Sequence, residues 1–526
     1  MFEQEALLIG GVRISKNGAI GRGNLDLKDA TLKSNEFVFT DLEFNSDNTS
    51  FFLRNRFSQH GENPLSIQSD SLKAFVTFKD RKGDFTSSGS KRIKFPPNEF
   101  FCQMDRFTWF MDGESIDFEK DKKGETSFES SAGIVKNNFY SLNKDQDSLQ
   151  FKSLSAKYDL KQQAIFCGKV NFVEVGDARI FPDSNKLVIR KAAVIDPLKN
   201  AQIVANDIDT FHRFTNANIQ IFGRNRFEGV CDYPYQDKDG LVTVVPMKSI
   251  KFEKKLTVAR GEILEKDNFK LSKEFDYFGK IDIFSNNKGL VLDGSTRLNH
   301  TCKYDRSWMK FSDTIEAKRI QIPIAERVVN AKNEQLAAGF LWRDSEKMDS
   351  LRIYPTFLSK IEGSKDQNLY SANGYIQFNE QANEFQIGSK DRLNKKDSLS
   401  NLLTLHLGTC FLTGNGDIQL GMNYGEVKID GYGKIEYNTE ELKTSISMNA
   451  RVTIPVSKDV TESLGNKLKM VEEFPELDLK KSNYGLRFNF ARWIGPEKAE
   501  EIFKDYDEEK LKKMPLIIRL SFSVSS

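Results

Sequence analysis

Seven stretches of this chain repeat one arrangement, a glycine followed by apolar residues in alternation. They are Phe166–Phe172, Phe227–Tyr233, Phe278–Ile283, Leu292–Leu298, Ala372–Phe378, Gly416–Leu420 and Gly431–Tyr437. Side chains of a strand point alternately to its two faces, so this spacing predicts half-buried β-strands. The glycines Gly168, Gly229, Gly279, Gly294, Gly374, Gly416 and Gly431 are expected at the mouths of these strands. Such units predict an all-β fold with a few helices, an elongated, stacked or solenoid-like and mostly antiparallel sheet. Their intervals are uneven, which argues against a strict repeat of fixed period.

Composition supports this. There are 42 Phe against 14 Tyr and 4 Trp, and only 13 Pro in 526 residues. Phe favours strands and has a large apolar area to bury. The chain is too long for one ordinary core, and at ~100–200 residues per domain it predicts several units. Lys and Arg total 77 against 75 Asp and Glu, a net charge of +2. Small basic clusters, such as Lys91, Arg92 and Lys94, lie among acids and read as a mixed solvated surface. No nucleic-acid partner is expected, because such binders carry a basic excess or stripe.

Four regions are expected. Residues 1–150 read as strands and tight turns, with turns at Asn17-Gly18, Lys82-Gly83, Asp112-Gly113 and Lys123-Gly124. Within them, Asp105–Asp112 predicts a strand with Phe107 and Trp109 on one face and Phe110 on the other. Residues 151–322 carry the densest repeat. Residues 323–456 read as helix plus β: a helix over 323–338 opened by Pro323, a short one over Ser398–Leu403, then strands with turns at Asn415-Gly416 and Asp430-Gly431. Residues 457–526 contain helices over Lys458–Glu473 and Pro496–Met514, the second with early glutamates and late lysines that complement its dipole.

The search for chemistry yields no catalytic, cofactor-binding or metal-ligating residue. The histidines His60, His212, His300 and His406 show no ligand spacing. His300 and Cys302 would share a strand face, but a metal needs further ligands, so a packed strand pair is expected. Gln236–Gly240 begins like a calcium loop but lacks the distal glutamate and reads as a hairpin turn. Gly414–Asp417 reads as a turn rather than a phosphate loop. Five cysteines, Cys102, Cys167, Cys231, Cys302 and Cys410, show no disulfide framework or CxxC motif. Cys167 and Cys231 are expected to be small buried thiols. No run approaches the ~20 apolar residues of a membrane helix. The first residues lack a signal-peptide pattern, and strand patterns at both ends suggest a piece of a longer protein.

The glycine-strand pattern and the unit Leu154–Phe172 resemble the OstA-like β-repeats of bacterial lipopolysaccharide-transport proteins. That resemblance spans about residues 150–300 and implies an open jellyroll of stacked strands with an apolar groove for acyl chains. The segment from Ile454-Pro455 to Pro515 resembles the ends of AsmA/TamB-like β-repeat envelope proteins of Gram-negative bacteria. Neither family implies a catalytic residue, and the helices expected at 323–338 and 496–514 depart from a pure OstA-like run. The expected function is a non-enzymatic structural or transport β-scaffold of the cell envelope, periplasmic or outer-membrane associated. Its partners would be lipid, held in a hydrophobic groove, or other envelope proteins. The alternative is a secreted polysaccharide-binding module or polysaccharide-degrading enzyme. It predicts exposed Trp109, Trp308 or Trp342 beside charged residues in a cleft.

Overall fold

The computed structural model describes residues 2, 5–16, 18–87, 91–120, 136–206, 208–343, 353–420, 428–453, 457–470, 491, 493, 495–504 and 517–525. Strands dominate it, as the alternation predicts, and the pairings described are antiparallel. Two units form. The first comprises 1–236, 242–262 and 282–290, and the second comprises 237–241, 263–281 and 291–526.

The first unit opens as a meander: β1 (Ala6–Ser15), β2 (Gly18–Leu27), β3 (Ala30–Phe39), β4 (Glu43–Arg54) and β5 (Leu65–Thr77), each paired with the next. β5 then changes partner. Ser71 takes a left-handed conformation (φ 59°), a local break of the kind that bends a strand. On one side of it Gln68 and Ser69 pair with the strand Ile93–Phe95. On the other, Leu72–Thr77 pair with β6 (Lys82–Ser87).

From this fork two sheets grow. One continues from β6 through Arg106–Phe110, Ser115–Glu119, Ser155–Asp159, Ala164–Gly168 and Leu187–Ile189. The other runs from Ile93–Phe95 through Phe100–Cys102, Phe139–Ser141, Gln150–Phe151, Val173–Val175, Ala178–Phe181 and Leu198–Ala205. The chain therefore places strands in the two sheets by turns, and their apolar faces meet. Phe95 of one sheet packs on Phe118 and Tyr158 of the other, each with ring centroids 5.4 Å apart. Phe85 stacks on Phe107 at 4.7 Å, and Phe51 lies on Phe85 at 4.6 Å and Trp109 at 5.5 Å. The Phe excess is thus spent on filling this interior. Long hairpins complete the unit, including Arg226–Gln236 with Val242–Glu253.

The second unit contains an antiparallel sheet ordered Ile322–Ile324, Gly374–Asn379, Glu384–Gly388, Leu402–His406, Leu412–Ile418, Lys428–Asn438, Lys443–Thr453 and Ile517–Ser525. A smaller sheet joins Val328–Val329, Gln335–Trp342, Ile353–Lys360 and Gln367–Ser371. Phe385 centres its core, with Phe378 at 5.1 Å, Phe275 at 5.5 Å and Phe357 at 6.3 Å.

Several expectations are corrected. The segment 323–338 is not helical: it forms the strands Ile322–Ile324, Val328–Val329 and the start of Gln335–Trp342. The Asn330 side chain accepts hydrogen bonds from the amides of Lys332 and Glu334, and Asn333 turns left-handed (φ 65°). That turn competes with a helix and wins. Ser398–Leu403 is not a helix either, because Asp397 accepts from the amides of Leu399 and Ser400 and launches the strand Leu402–His406. The short helix lies earlier, at Lys390–Leu393, capped by Ser389. Gly83, Asn415-Gly416 and Gly431 lie inside strands rather than turns, and so does the whole of Gly414–Asp417. Of the seven glycines only Gly374 opens its strand. Gly168 closes one and the other five are internal. Helices form at Lys458–Lys469 and Pro496–Lys504. Residues 471–473 and 505–514 of the expected helices, with Asn17 and the Lys123-Gly124 turn, lie outside the described residues.

Candidate functional site

The strand Arg106–Phe110 has the expected faces: Phe107 and Trp109 are buried, and Phe110 is exposed. Trp109 therefore cannot serve as a surface platform. Trp308 is half-buried and its ring is already engaged. The Arg297 guanidinium lies over it at 4.5 Å, Phe278 meets it edge-on at 4.7 Å, and its indole N–H donates to Glu265 (2.9 Å). Arg297 is itself held by the buried carboxylate of Asp276 (2.8 Å), which also accepts from Asn299 (2.7 Å). Trp342 is half-buried on an inner strand of the small sheet.

His300 and Cys302 do not share a strand. The strand Leu290–Leu298 ends before them, and Cys302 forms a disulfide with Cys410. His300 is buried and packs on Phe385 at 6.4 Å, and burial first, then the charge of Arg306, lowers its pKa. His212 is buried between the Asn287 carbonyl (Nε2, 2.7 Å) and the Tyr233 hydroxyl (Nδ1, 3.1 Å). The carbonyl can only accept, so Nε2 carries a proton, and burial lowers the pKa of the ring against the opposing pull of that hydrogen bond. Cys102, Cys167 and Cys231 are free and buried, and burial pushes their thiols up, Cys231 to about 12. None is a thiolate nucleophile at neutral pH. Among the described residues no group of three or more His, Cys, Asp or Glu is placed to hold a metal.

The Gln236–Gly240 segment is a hairpin turn, with the Asp237 carboxylate accepting from the amides of Asp239 and Leu241. Within the second unit, Lys238 from this turn meets the buried Glu274 (3.2 Å) and the exposed Glu380 (2.5 Å), and lies 5.4 Å from the Phe378 ring. Burial opposes the Lys238 charge, but the hydrogen bond to Glu380 and the field of Glu274 outweigh it and hold the ammonium above its usual range. Ser272 donates to Glu274 (2.6 Å). Lys238 and Glu274 thus form a closed ion pair.

Two cavities stand out. One, of about 10 Å³, is lined by His300, Arg306, Met309 and Phe357 and has room for about one water. The other, of about 100 Å³, is lined by Glu174, Asp177, Arg179 and Arg224. Both fall below the ~300 Å³ at which ligand pockets begin.

Surface charge pairs tune stability instead. Glu253 is hydrogen-bonded by Arg260 and then Lys251, which holds its pKa down at about 2 against an ordinary 4.5. A depressed carboxylate stabilises the fold above its unfolded pKa, and the gain is lost as pH falls through the folded value. Wild type should therefore exceed Glu253→Gln in unfolding free energy from urea titration near neutral pH, by at most about 1 kcal/mol after solvent screening. The difference should vanish as pH drops from 4.5 to about 2. A constant difference across that window would contradict the assignment.

No family model, no curated protein and no solved structure matches this chain.

Proposed function

We propose that the chain is a non-enzymatic β-scaffold of the bacterial cell envelope, periplasmic or outer-membrane associated, which acts through its surfaces and strand edges. One observation carries this reading: aromatic side chains fill the interior of each unit. Phe37, Phe44, Phe51, Phe85, Phe95, Phe100 and Phe118 are fully buried in the first. Phe385 and its neighbours close the second. A carrier of acyl chains needs an empty apolar groove, so this packing favours the scaffold part of the reading over the lipid-holding part. The disulfide supports an oxidising compartment, since such bonds are rare where thiols are kept reduced. Among the described residues no helix is long and apolar enough to cross a membrane. A polysaccharide-binding module or polysaccharide-degrading enzyme draws less support, because Trp109 is buried and the Trp308 ring is occupied.

Two measurements on the protein from its native cell test this. Fractionation with thiol alkylation should place it in the envelope with Cys302 and Cys410 protected. Native mass spectrometry should find it free of lipid. Recovery from the cytosol with both thiols alkylated would refute the compartment, and a stoichiometric phospholipid would favour transport over scaffolding.

A further inference from the structure

β1 is built like an inner strand but sits at an edge. Its ten residues pair with β2 without a register shift, from Ala6 opposite Leu27 to Ser15 opposite Gly18. Over its inner stretch, Leu7–Ile14, no described strand pairs with its other side. Every second residue of such a strand directs its amide and carbonyl away from the sheet. Natural edges are usually blunted by proline, bulges, shortness or several charges. β1 has no proline and no bulge, and its one charge is Arg13 near its end.

Beyond the buried Ala6 and the half-buried Leu8, both faces of the strand carry exposed apolar side chains. Leu7 and Ile9 lie on one face, 63% and 57% exposed. Val12 and Ile14 lie on the other, 51% and 82% exposed. The charge beside them is mostly basic: Asp26, opposite Leu7, is already held by Arg54 (3.2 Å) and Thr31 (2.6 Å). Residues 6–25 contain Arg13, Lys16 and Arg22 and no acid. Arg22 stands opposite Gly11, on the face that Arg13 shares, and its Nε lies 3.3 Å from where a Gly11 Cβ would be. The β2 guanidinium thus reaches across β1. The neighbouring acid, Glu5, is already bound by Arg81 (2.6 Å). No ion pair joins Arg13, Lys16 or Arg22 to a described residue.

We propose that β1 accepts, as an added β-strand, an extended segment of another polypeptide in which apolar and acidic residues alternate. The open backbone supplies main-chain hydrogen bonds, the uncovered Leu, Ile and Val supply apolar contact, and Arg13 and Arg22 select acids. The same charges disfavour a second copy, since pairing β1 with β1 would bring two basic edges together, the adjacent Asp26 being already held by Arg54. A lipid surface is disfavoured because the open amides and carbonyls would enter hydrocarbon unpaired. The proposal is independent of the scaffold reading, since a chain with a catalytic or lipid-carrying interior would keep the same edge.

The probe is a synthetic peptide of alternating valine and glutamate, as long as β1, titrated against the full chain by fluorescence anisotropy at low salt. It should bind saturably, and about tenfold or more weaker to an Arg13→Glu/Arg22→Glu variant. N-methylation of alternate peptide amides should cause a similar loss. The valine–lysine counterpart should bind the variant and not the wild type. Both arginines are exposed, so an unchanged thermal transition is expected and checks that the variant is folded. The proposal is overturned if the glutamate peptide does not bind, or if the N-methylated peptide binds equally well. It is also overturned if the protein forms dimers that Ile9→Glu disperses, or if phosphatidylglycerol vesicles compete the peptide away.

Discussion

Replacing Cys302 and Cys410 together by serine is expected to destabilise the second unit by about 4–5 kcal/mol and leave the first unit unchanged. The bond closes a loop between residues 108 apart in sequence. In the chain-entropy account the cost of opening a crosslink grows with the logarithm of the loop, so this bond lies near the upper end of the usual range. It ties the segment after Leu290–Leu298 to the turn after Leu402–His406, where Cys410 is left-handed (φ 56°) and its amide bonds to the His406 carbonyl (2.8 Å). Both partners belong to the second unit. Hydrogen exchange read by mass spectrometry should show faster exchange in the sheet from Gly374 to Thr453, with the sandwich around Phe95 unaffected. Reduction of wild type should reproduce the shift. Equal protection with and without the bond would show that the sheet holds these segments unaided.

How much of this could be read from residues alone depended on how local the cause was. Alternation in Arg106–Phe110 places Phe107 and Trp109 inward, and the structure does the same, because a strand's faces are a property of consecutive residues. The segment 323–338 defeats the same reasoning. Its apolar residues fit either period, and the decision rests on one side chain, Asn330, which closes a turn on Lys332 and Glu334. The disulfide was illegible for a different reason: spacing cannot pair cysteines brought together by intervening strands. The β1 edge is the extreme case. Ala6–Ser15 reads like any buried strand, and only the lack of a second strand beside Leu7–Ile14 among the described residues distinguishes it.

The glycines show how a correct signal can carry the wrong geometry. Gly279 and Gly294 mark strands, as expected, yet they lie inside them and face one another. A Cβ on Gly279 would stand 2.5 Å from the Gly294 Cα, 2.7 Å from the Asp293 carbonyl oxygen and 2.9 Å from the Tyr277 hydroxyl. Gly279 also has a φ of 141°, where residues with a Cβ are strained. The two bare backbones let Tyr277 lie across both strands, with its hydroxyl donating to the Lys280 carbonyl (2.5 Å). Gly279→Val should therefore cost about 3–5 kcal/mol, the strain of the dihedral plus overpacking against backbone that cannot rotate away. Gly61 is the control. Its φ is also positive, at 90°, but a Cβ there meets nothing within 4 Å, so Gly61→Ala should cost only about 1–2 kcal/mol. Urea unfolding of the two variants separates the contributions, since Gly61 carries the dihedral strain alone and Gly279 carries strain and collision together. If Gly279→Val were no worse than Gly61→Ala, the close approach would be relieved by a small strand shift. The glycine pair would then be a consequence of strand pairing rather than a condition for it.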